Sequence, residues 1–187
     1  MSEYKYTYNW FNESEIKQKI IQFVNPELKN TILEIGSFEG LSSVYFADNL
    51  LNHNESTITC VDPFLSIDNN DHTKYLNNVE NTFNYNISIS KNSSKIIVNK
   101  VTSDDFFKLN TNTFNFIYID GCHELDFIKR DMINAFSILE KDGIMWMDDY
   151  GGGDGVSIKN AIDSILLTLN GKYKLIHKGY QIAIQKI

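Results

Sequence analysis

Five acidic residues, Glu34, Asp62, Asp104, Asp120 and Asp148, fall at the ends of segments that read as buried strands. In open α/β sheets ligands bind outside the carboxyl ends of the strands, so acids at those positions can do chemistry. Asp120 ends one such strand, and Asp148 and Asp149 end another. If the two strands are neighbours, three carboxylates converge on one point. Uncompensated, they repel, and at least one takes up a proton. A hard divalent cation resolves the clash, and Mg²⁺ characteristically takes a few carboxylates with water and substrate oxygens. His123 follows Asp120 by three residues, at the mouth of the next helix, so it can lean over the same pocket. A neutral imidazole there accepts a proton from a substrate hydroxyl. A metal would help by lowering the pKa of that hydroxyl. Each group also has a plainer use: Asp148 and Asp149 can simply end a strand, and a single histidine is often a packed residue.

The stretch from Thr31 to Ser43, TILEIGSFEGLSS, must position these groups. It reads as a buried strand, a tight turn from Gly36 to Gly40, and the start of a helix. Gly36 removes the Cβ where the chain turns sharply or a ligand approaches. The helix start presents free backbone N–H groups. A dinucleotide fingerprint needs a second glycine where Phe38 stands, which disfavours close approach of a pyrophosphate. Glu34 repels a diphosphate and suits a cation. Asp62 ends the next strand about 20 residues beyond the turn, where a carboxylate holds a ribose diol. It also suits an ordinary strand-ending turn. Thr102, Ser103 and Asp104 follow the third strand. They can bond an adenine amino group, cap the short helix at 105–109, or do both.

The elements around these residues alternate. Strands are expected at 31–35, 57–61, 96–98 (extending to Val101 at most), 114–119 and 144–147, with two closing strands at 173–176 and 180–187. Helices are expected at 41–51, 126–140 and 158–169, with a turn at Lys141–Gly143. Near the N-terminus, Ile16, Ile20, Ile21 and Val24 keep helical spacing after a cap at Asn12–Glu15, and Asn25-Pro26 ends that helix. Trp10 and Phe11 either pack this helix on the sheet or form a flap over a cofactor. Tyr75, Leu76, Val79 and Phe83 keep helical spacing, Asp68–Asp71 reads as a loop, and 84–95 is weakly structured by pattern. The polar region 65–95 and the glycine loop 151–155 are expected to shape an acceptor pocket. The alternation implies an α/β, Rossmann-like doubly wound fold. It has a mostly parallel seven-stranded sheet, helices on both faces and an antiparallel C-terminal strand. With no repeat and no linker, residues 1–187 read as one domain, with 1–30 as a helical and aromatic cover segment.

Composition excludes several classes. The 187 residues carry a net charge of −7 and one arginine, Arg130, which argues against nucleic acid as a partner. No run of about 18 apolar residues is present, so no membrane span is expected. The N-terminus, MSEYKYTYNWF, lacks an apolar signal core. Two cysteines, Cys60 and Cys122, without metal spacing suggest a reducing compartment. A cytoplasmic location is the expectation, and a homo-oligomer is compatible with the chain.

ILEIGSFEG, CVDPF, FNFIYIDGCHE, GIMWMDDY and the terminal HKGYQIAIQKI, in this order, resemble class I S-adenosylmethionine (SAM)-dependent methyltransferases. The likeness is to the subgroup of macrocin-type sugar O-methyltransferases and relatives of catechol O-methyltransferase. The resemblance implies that SAM is the cofactor, with Glu34, Gly36, Ser37 and Gly40 around its methionine moiety. Asp62 takes the ribose hydroxyls, and Thr102, Ser103 and Asp104 lie near adenine. Asp120, Asp148 and Asp149 match metal-ligand positions, for Mg²⁺. His123 matches the base, with Asp120 beside it at the reacting end and against the cofactor. Catechol-type members carry Asp-Asn where this chain carries Asp148-Asp149, which moves the comparison toward the sugar enzymes. The implied activity is O-methyl transfer to a hydroxyl of a small molecule or sugar. The rivals are an NAD(P)-dependent oxidoreductase of the same fold class and a non-catalytic domain that binds SAM or a partner. A metal-dependent hydrolase or hydroxylase using the acids is weaker.

Overall fold

The computed structural model describes residues 3–65, 78–152 and 157–187. Seven strands form one sheet: β1 (Thr31–Ile35), β2 (Thr57–Val61), β3 (Ile96–Asn99), β4 (Phe114–Ile119), β5 (Leu139–Met147), β6 (Tyr173–Lys178) and β7 (Ile182–Lys186). Their order is β3-β2-β1-β4-β5-β7-β6. The first five pair in parallel, and β7 runs antiparallel to both β5 and β6. The chain winds outward from β1 to β3, then returns to start β4 on the other side of β1. That reversal opens a crevice at the carboxyl ends of β1 and β4.

Alternation along the strands sends side chains into two cores. Leu33, Ile35, Ile117 and Ile119 face α4 (Ser103–Leu109), α5 (Leu125–Ile138) and α6 (Ser157–Thr168). Ile32, Phe116, Tyr118 and Trp146 face α2 (Leu41–Leu50), α3 (Val79–Ile89) and the N-terminal segment, which contains α1 (Glu15–Lys19). Both faces of β1, β4 and β5 are buried, which explains their nearly continuous apolar sequences.

The structure departs from the sequence expectations in four places. The stretch read as weakly structured contains most of α3 and a 3₁₀ turn at Ser93–Lys95. Its asparagines are structural partners rather than loop markers. Buried Asn86 accepts from the Lys5 amide at 2.8 Å and donates to the Lys5 and Glu39 carbonyls, and Asn92 donates to the Ala47 carbonyl. Second, α5 stops at Ile138 and β5 begins at once, because Leu139 is buried beside Phe114. The expected turn survives as a kink in β5: Asp142 has φ +61°, and the pairing shifts between Phe114 and Phe116. Third, the N-terminal helix is shorter than its spacing suggests. A 3₁₀ turn follows it at Ile20–Gln22, and Ile21 is exposed. Fourth, α4 begins at Ser103, two residues earlier than expected, while β3 ends at Asn99 within its expected bounds. Phe11 packs edge-on against Phe46 in the core, whereas Trp10 is 68% exposed and stacks on Tyr8 at 4.3 Å. The features expected at Asp68–Asp71, Tyr75, Leu76 and Gly153–Gly155 lie outside the described residues.

Candidate functional site

The turn after β1 is fixed by three layers of bonding. Gly36 has φ +83°, and its amide donates to the Val61 carbonyl at 3.0 Å. The Asp62 carboxylate accepts from the Ser37 and Phe38 amides at 2.8 and 2.9 Å, and its other oxygen accepts from Phe64 N at 2.7 Å. Beneath them Glu34 is fully buried, accepting from the Ser37 hydroxyl at 2.7 Å and from the Ser43 hydroxyl. Burial pushes its carboxyl pKa up, against the pull of the Ser42, Ser43 and Ser37 hydroxyls. Gly40 caps α2 with φ +82°.

Beyond the turn lies a cavity of about 800 Å³, at the carboxyl ends of β1, β2 and β4. Of the cofactor residues read from the sequence, Gly36, Asp62, Thr102, Ser103 and Asp120 line it. Glu34, Ser37 and Gly40 do not: they build the turn from below. Glu34 shares the parity of Ile32 along β1, so its side chain points toward α2 and away from the crevice. Asp104 also stands off the wall, held by Arg130 through two contacts of 3.1 Å. Thr102 caps α4, accepting from the Asp105 amide at 3.2 Å, as one of the two readings of that stretch required.

His123 lines the cavity at its rim, and its side chain is 64% exposed. Its Nε2 lies 2.8 Å from Asp149 Oδ2, while Tyr180 donates to Asp149 Oδ1 at 2.8 Å. The hydrogen bond to Asp149 is the main influence raising the His123 pKa, and burial partly opposes it. Burial acts upward on Asp149 too, but the His123 and Tyr180 contacts outweigh it and lower its pKa. Asp120 is pushed well above the usual carboxylate range by burial and by the charges of Asp148 and Asp149. The Tyr118 hydroxyl sits 3.1 Å from Asp120 Oδ2 and 2.5 Å from Asp148 Oδ2. A phenol has one proton, so a protonated Asp120 completes this chain: it donates to Tyr118, which donates to Asp148.

Of the three expected acids, Asp120 and Asp149 share one cluster with His123, while Asp148 turns to other partners. Donor atoms of Asp120, His123 and Asp149 lie within 4.8 Å of one another and form the candidate metal group among the described residues. Asp148 is instead engaged from inside, with three accepted bonds. It accepts from Tyr118, from Gln181 Nε2 at 2.7 Å and from the Asp149 amide at 2.7 Å. Gln181 is buried and oriented by the Ile16 amide and the Trp146 indole, both donating to its Oε1. Two carboxylates and an imidazole fit a divalent cation, with a donor set closer to manganese or iron than to the all-oxygen shell of Mg²⁺.

Sequence reasoning missed Tyr118, Tyr180, Gln181 and Asp131. Tyr180 and Gln181 lie between β6 and β7, where polar residues carry no local signal. Asp131 did carry one. It sits three residues after Ile128 and four before Ala135, on the apolar face of α5. It is 3% exposed, and its Oδ1 has no hydrogen-bond partner. Burial lifts its pKa to about 6 from a usual 3.8, against a smaller pull from Ser103. A raised acid favours the folded state where it is protonated, below about pH 4, and that contribution is lost as pH rises through 6. Asp131→Asn should therefore be more stable than the wild type at pH 8, by up to about 3 kcal/mol. The difference should vanish below pH 4. Urea unfolding of both proteins across pH checks this, and a pH-independent difference would contradict the unpaired carboxylate.

A crevice at the strand reversal, an acid-anchored glycine turn and two antiparallel C-terminal strands define the class I SAM-dependent methyltransferase fold. A protein-family model described as a methyltransferase domain matches residues 33–150, and the chain belongs to that family. None of the curated protein sequences matches it. Among solved structures, a protein from Clostridium thermocellum provisionally described as an rRNA-methylase has TM-score 0.71 and 14% identity, covering 98% of each chain. An O-methyltransferase from Bacillus cereus, solved with SAH, has TM-score 0.67 and 14% identity, covering 92% of this chain and 79% of that one. The O-methyltransferase TomG from Streptomyces achromogenes, solved with SAM, has TM-score 0.65 and 13% identity, covering 91% and 78%. At these identities the likeness is one of fold. No helix among the described residues is long and apolar enough to cross a membrane.

Proposed function

We propose that this chain is a SAM-dependent O-methyltransferase acting on a hydroxyl group of a small molecule or sugar. The observation that carries the reading is the His123–Asp149 pair at the rim of a cavity whose floor is the Asp62-anchored turn. The family match supports methyl transfer, the neighbours solved with SAM or SAH support the cofactor, and the −7 charge favours a small acceptor over a polyanion.

In this reading Asp62 holds the turn through three accepted bonds and keeps a lone pair on Oδ1 for a ribose hydroxyl. His123 donates from Nε2 to Asp149, which leaves Nδ1 to accept the acceptor hydroxyl proton. Asp149 then stabilises the imidazolium, and Tyr180 keeps Asp149 in place. The Asp149 carboxylate at the rim favours a positively charged donor. Bound SAM would supply an electrophilic methyl group, carried on its sulfonium, to the acceptor oxygen. Asp120, His123 and Asp149 would hold a divalent cation where one is used, and it would acidify the acceptor hydroxyl. The chain's own contribution is mainly positioning.

Calorimetric titration with SAM and with SAH tests the cofactor, followed by methyl-transfer assays on hydroxyl acceptors with and without divalent cations. Micromolar binding is expected, and no binding of either would sink the reading. Asp62→Ala should weaken SAM binding by about 1.5–3 kcal/mol. It should also loosen the turn, because the Ser37 and Phe38 amides lose their acceptor. Unchanged affinity in the same titration would remove Asp62 from the ribose role.

A further inference from the structure

We infer that the N-terminal strap, residues 4–10, braces the cofactor turn, and that Glu39 is the positioning residue that latches it there. Through this latch the strap holds Phe38 against the cavity and so sets the affinity for SAM and SAH. The inference rests on the proposed cofactor and concerns how its turn is kept in shape.

Glu39 is the acid inside the glycine turn, and the proposed chemistry leaves it without a role. It is 4% exposed. A carboxyl group buried this far needs partners. Those of Glu39 come from the strap: Oε2 accepts from the Thr7 amide at 2.5 Å, and Oε1 accepts from the Thr7 hydroxyl at 2.7 Å. Asn86 of α3, fully buried, ties the same two pieces together. It exchanges two hydrogen bonds with the Lys5 backbone and donates to the Glu39 carbonyl at 2.8 Å. Residues 4–9 lie in no helix or strand, so their backbone groups depend on side chains such as these. Tyr4 adds a bond from its hydroxyl to Asp48 of α2 at 2.8 Å.

Past the latch the strap meets the cavity wall. Tyr8 and Trp10 stack on each other, and both rings pack on Phe38, with centroids 6.4 and 5.7 Å away. Phe38 lines the cavity with Gly36 and Asp62. Its φ is +47°, in the left-handed region that bulky side chains rarely enter. Such a conformation persists where the surroundings enforce it, and ligand clamps are a common place for it. Two contacts enforce it here. The Phe38 amide donates to Asp62 Oδ2 at 2.9 Å, and the aromatic pair of the strap backs its ring. A loosened strap lets Phe38 relax, which withdraws a bond from the acid proposed to hold the ribose and reshapes the wall.

The test is calorimetry of the full chain with SAH. Glu39→Ala should weaken binding about 5- to 50-fold, the worth of the two bonds to Thr7. Glu39→Gln keeps an acceptor for the Thr7 amide and offers its NH₂ to the Thr7 hydroxyl oxygen, so it should stay within about threefold of the wild type. Trp10 is 68% exposed and adds little to the core, so Trp10→Ala should fold and bind about 2- to 10-fold more weakly. Both losses act through Phe38, so the double variant Glu39→Ala with Trp10→Ala should bind little worse than Glu39→Ala alone. Two independent structural losses would multiply instead, and that result would overturn the inference. So would wild-type affinity in folded Glu39→Ala. Should that variant fail to fold, wild-type affinity in Trp10→Ala would overturn it equally. Failure of the wild type to bind SAH would overturn the SAM reading itself, a result distinct from a strap without influence.

Discussion

Replacing His123 with alanine should cut methyl-transfer turnover about 10²–10⁴-fold, the span typical of losing a general base. SAM affinity should stay nearly unchanged. The asymmetry follows from position. His123 lies on the loop before α5, its imidazole is mostly exposed at the cavity rim, and its described side-chain bond is to Asp149. Its partner Asp149 follows β5, across β4 and β1 from Asp62 after β2, and His123 makes none of the bonds that fix the turn. Asp149→Asn is the companion variant. It preserves shape but no longer stabilises the imidazolium, so it should lower turnover by less than His123→Ala while leaving the imidazole in place. Single-turnover rates with saturating acceptor separate chemistry from product release. An unaffected rate in His123→Ala, where chemistry limits, would remove the residue from the base role. If the group instead held a metal ion, His123→Ala would weaken binding of that ion, read by titration with the metal alone.

The parts of this site legible in the sequence are those encoded locally. The strand–glycine–helix turn, Asp62 at its strand end and Asp120 before a glycine are each set within a few residues, and the structure places them at one crevice. Strand parity was equally available for Glu34: counting by twos from Ile32 puts it on the α2 face. That count places it beneath the turn rather than on the cavity wall. The acidic group was less legible because contacts distant in sequence decide which carboxylate faces the site. Tyr118 and Gln181 draw Asp148 inward, and Gln181 is in turn oriented by Ile16 and Trp146. Asp149 adopts φ +56°, which turns its side chain to His123 and Tyr180. No local pattern encodes those partners. The same holds for α3, where Asn86 looks like a loop residue until the N-terminal segment and the Glu39 carbonyl supply its bonds. Tertiary partners override the weak helix propensity of asparagine there.

Gly36→Ala should be the most damaging glycine-to-alanine change among the described residues. Two costs add at this position. The backbone has φ +83°, a left-handed conformation that costs a residue with a Cβ about 1–2 kcal/mol. The new Cβ would also sit 2.0 Å from the Asp120 carbonyl oxygen and 2.7 Å from Gly121 Cα. Both are backbone atoms, so no side chain can swing away. Relief requires parting the ends of β1 and β4, where Asp120 N donates to the Ile35 carbonyl at 2.8 Å. Overpacking of this kind adds about 1–3 kcal/mol or more. The total, upward of about 3 kcal/mol, corresponds to a fall in Tm of roughly 6–12 °C for a chain of this size. Asp120 would move with the strand end, so SAM binding should fail even in the folded fraction. Gly171→Ala is the internal control. Gly171 has φ +78° but nothing within 4 Å of the added Cβ, so only the conformational cost applies there. Thermal and urea unfolding of both variants should separate the two costs, with Gly36→Ala losing at least about twice as much stability. Equal losses would mean that the strand ends at the crevice yield freely, and the close approach of the turn to Asp120 would no longer account for the glycine.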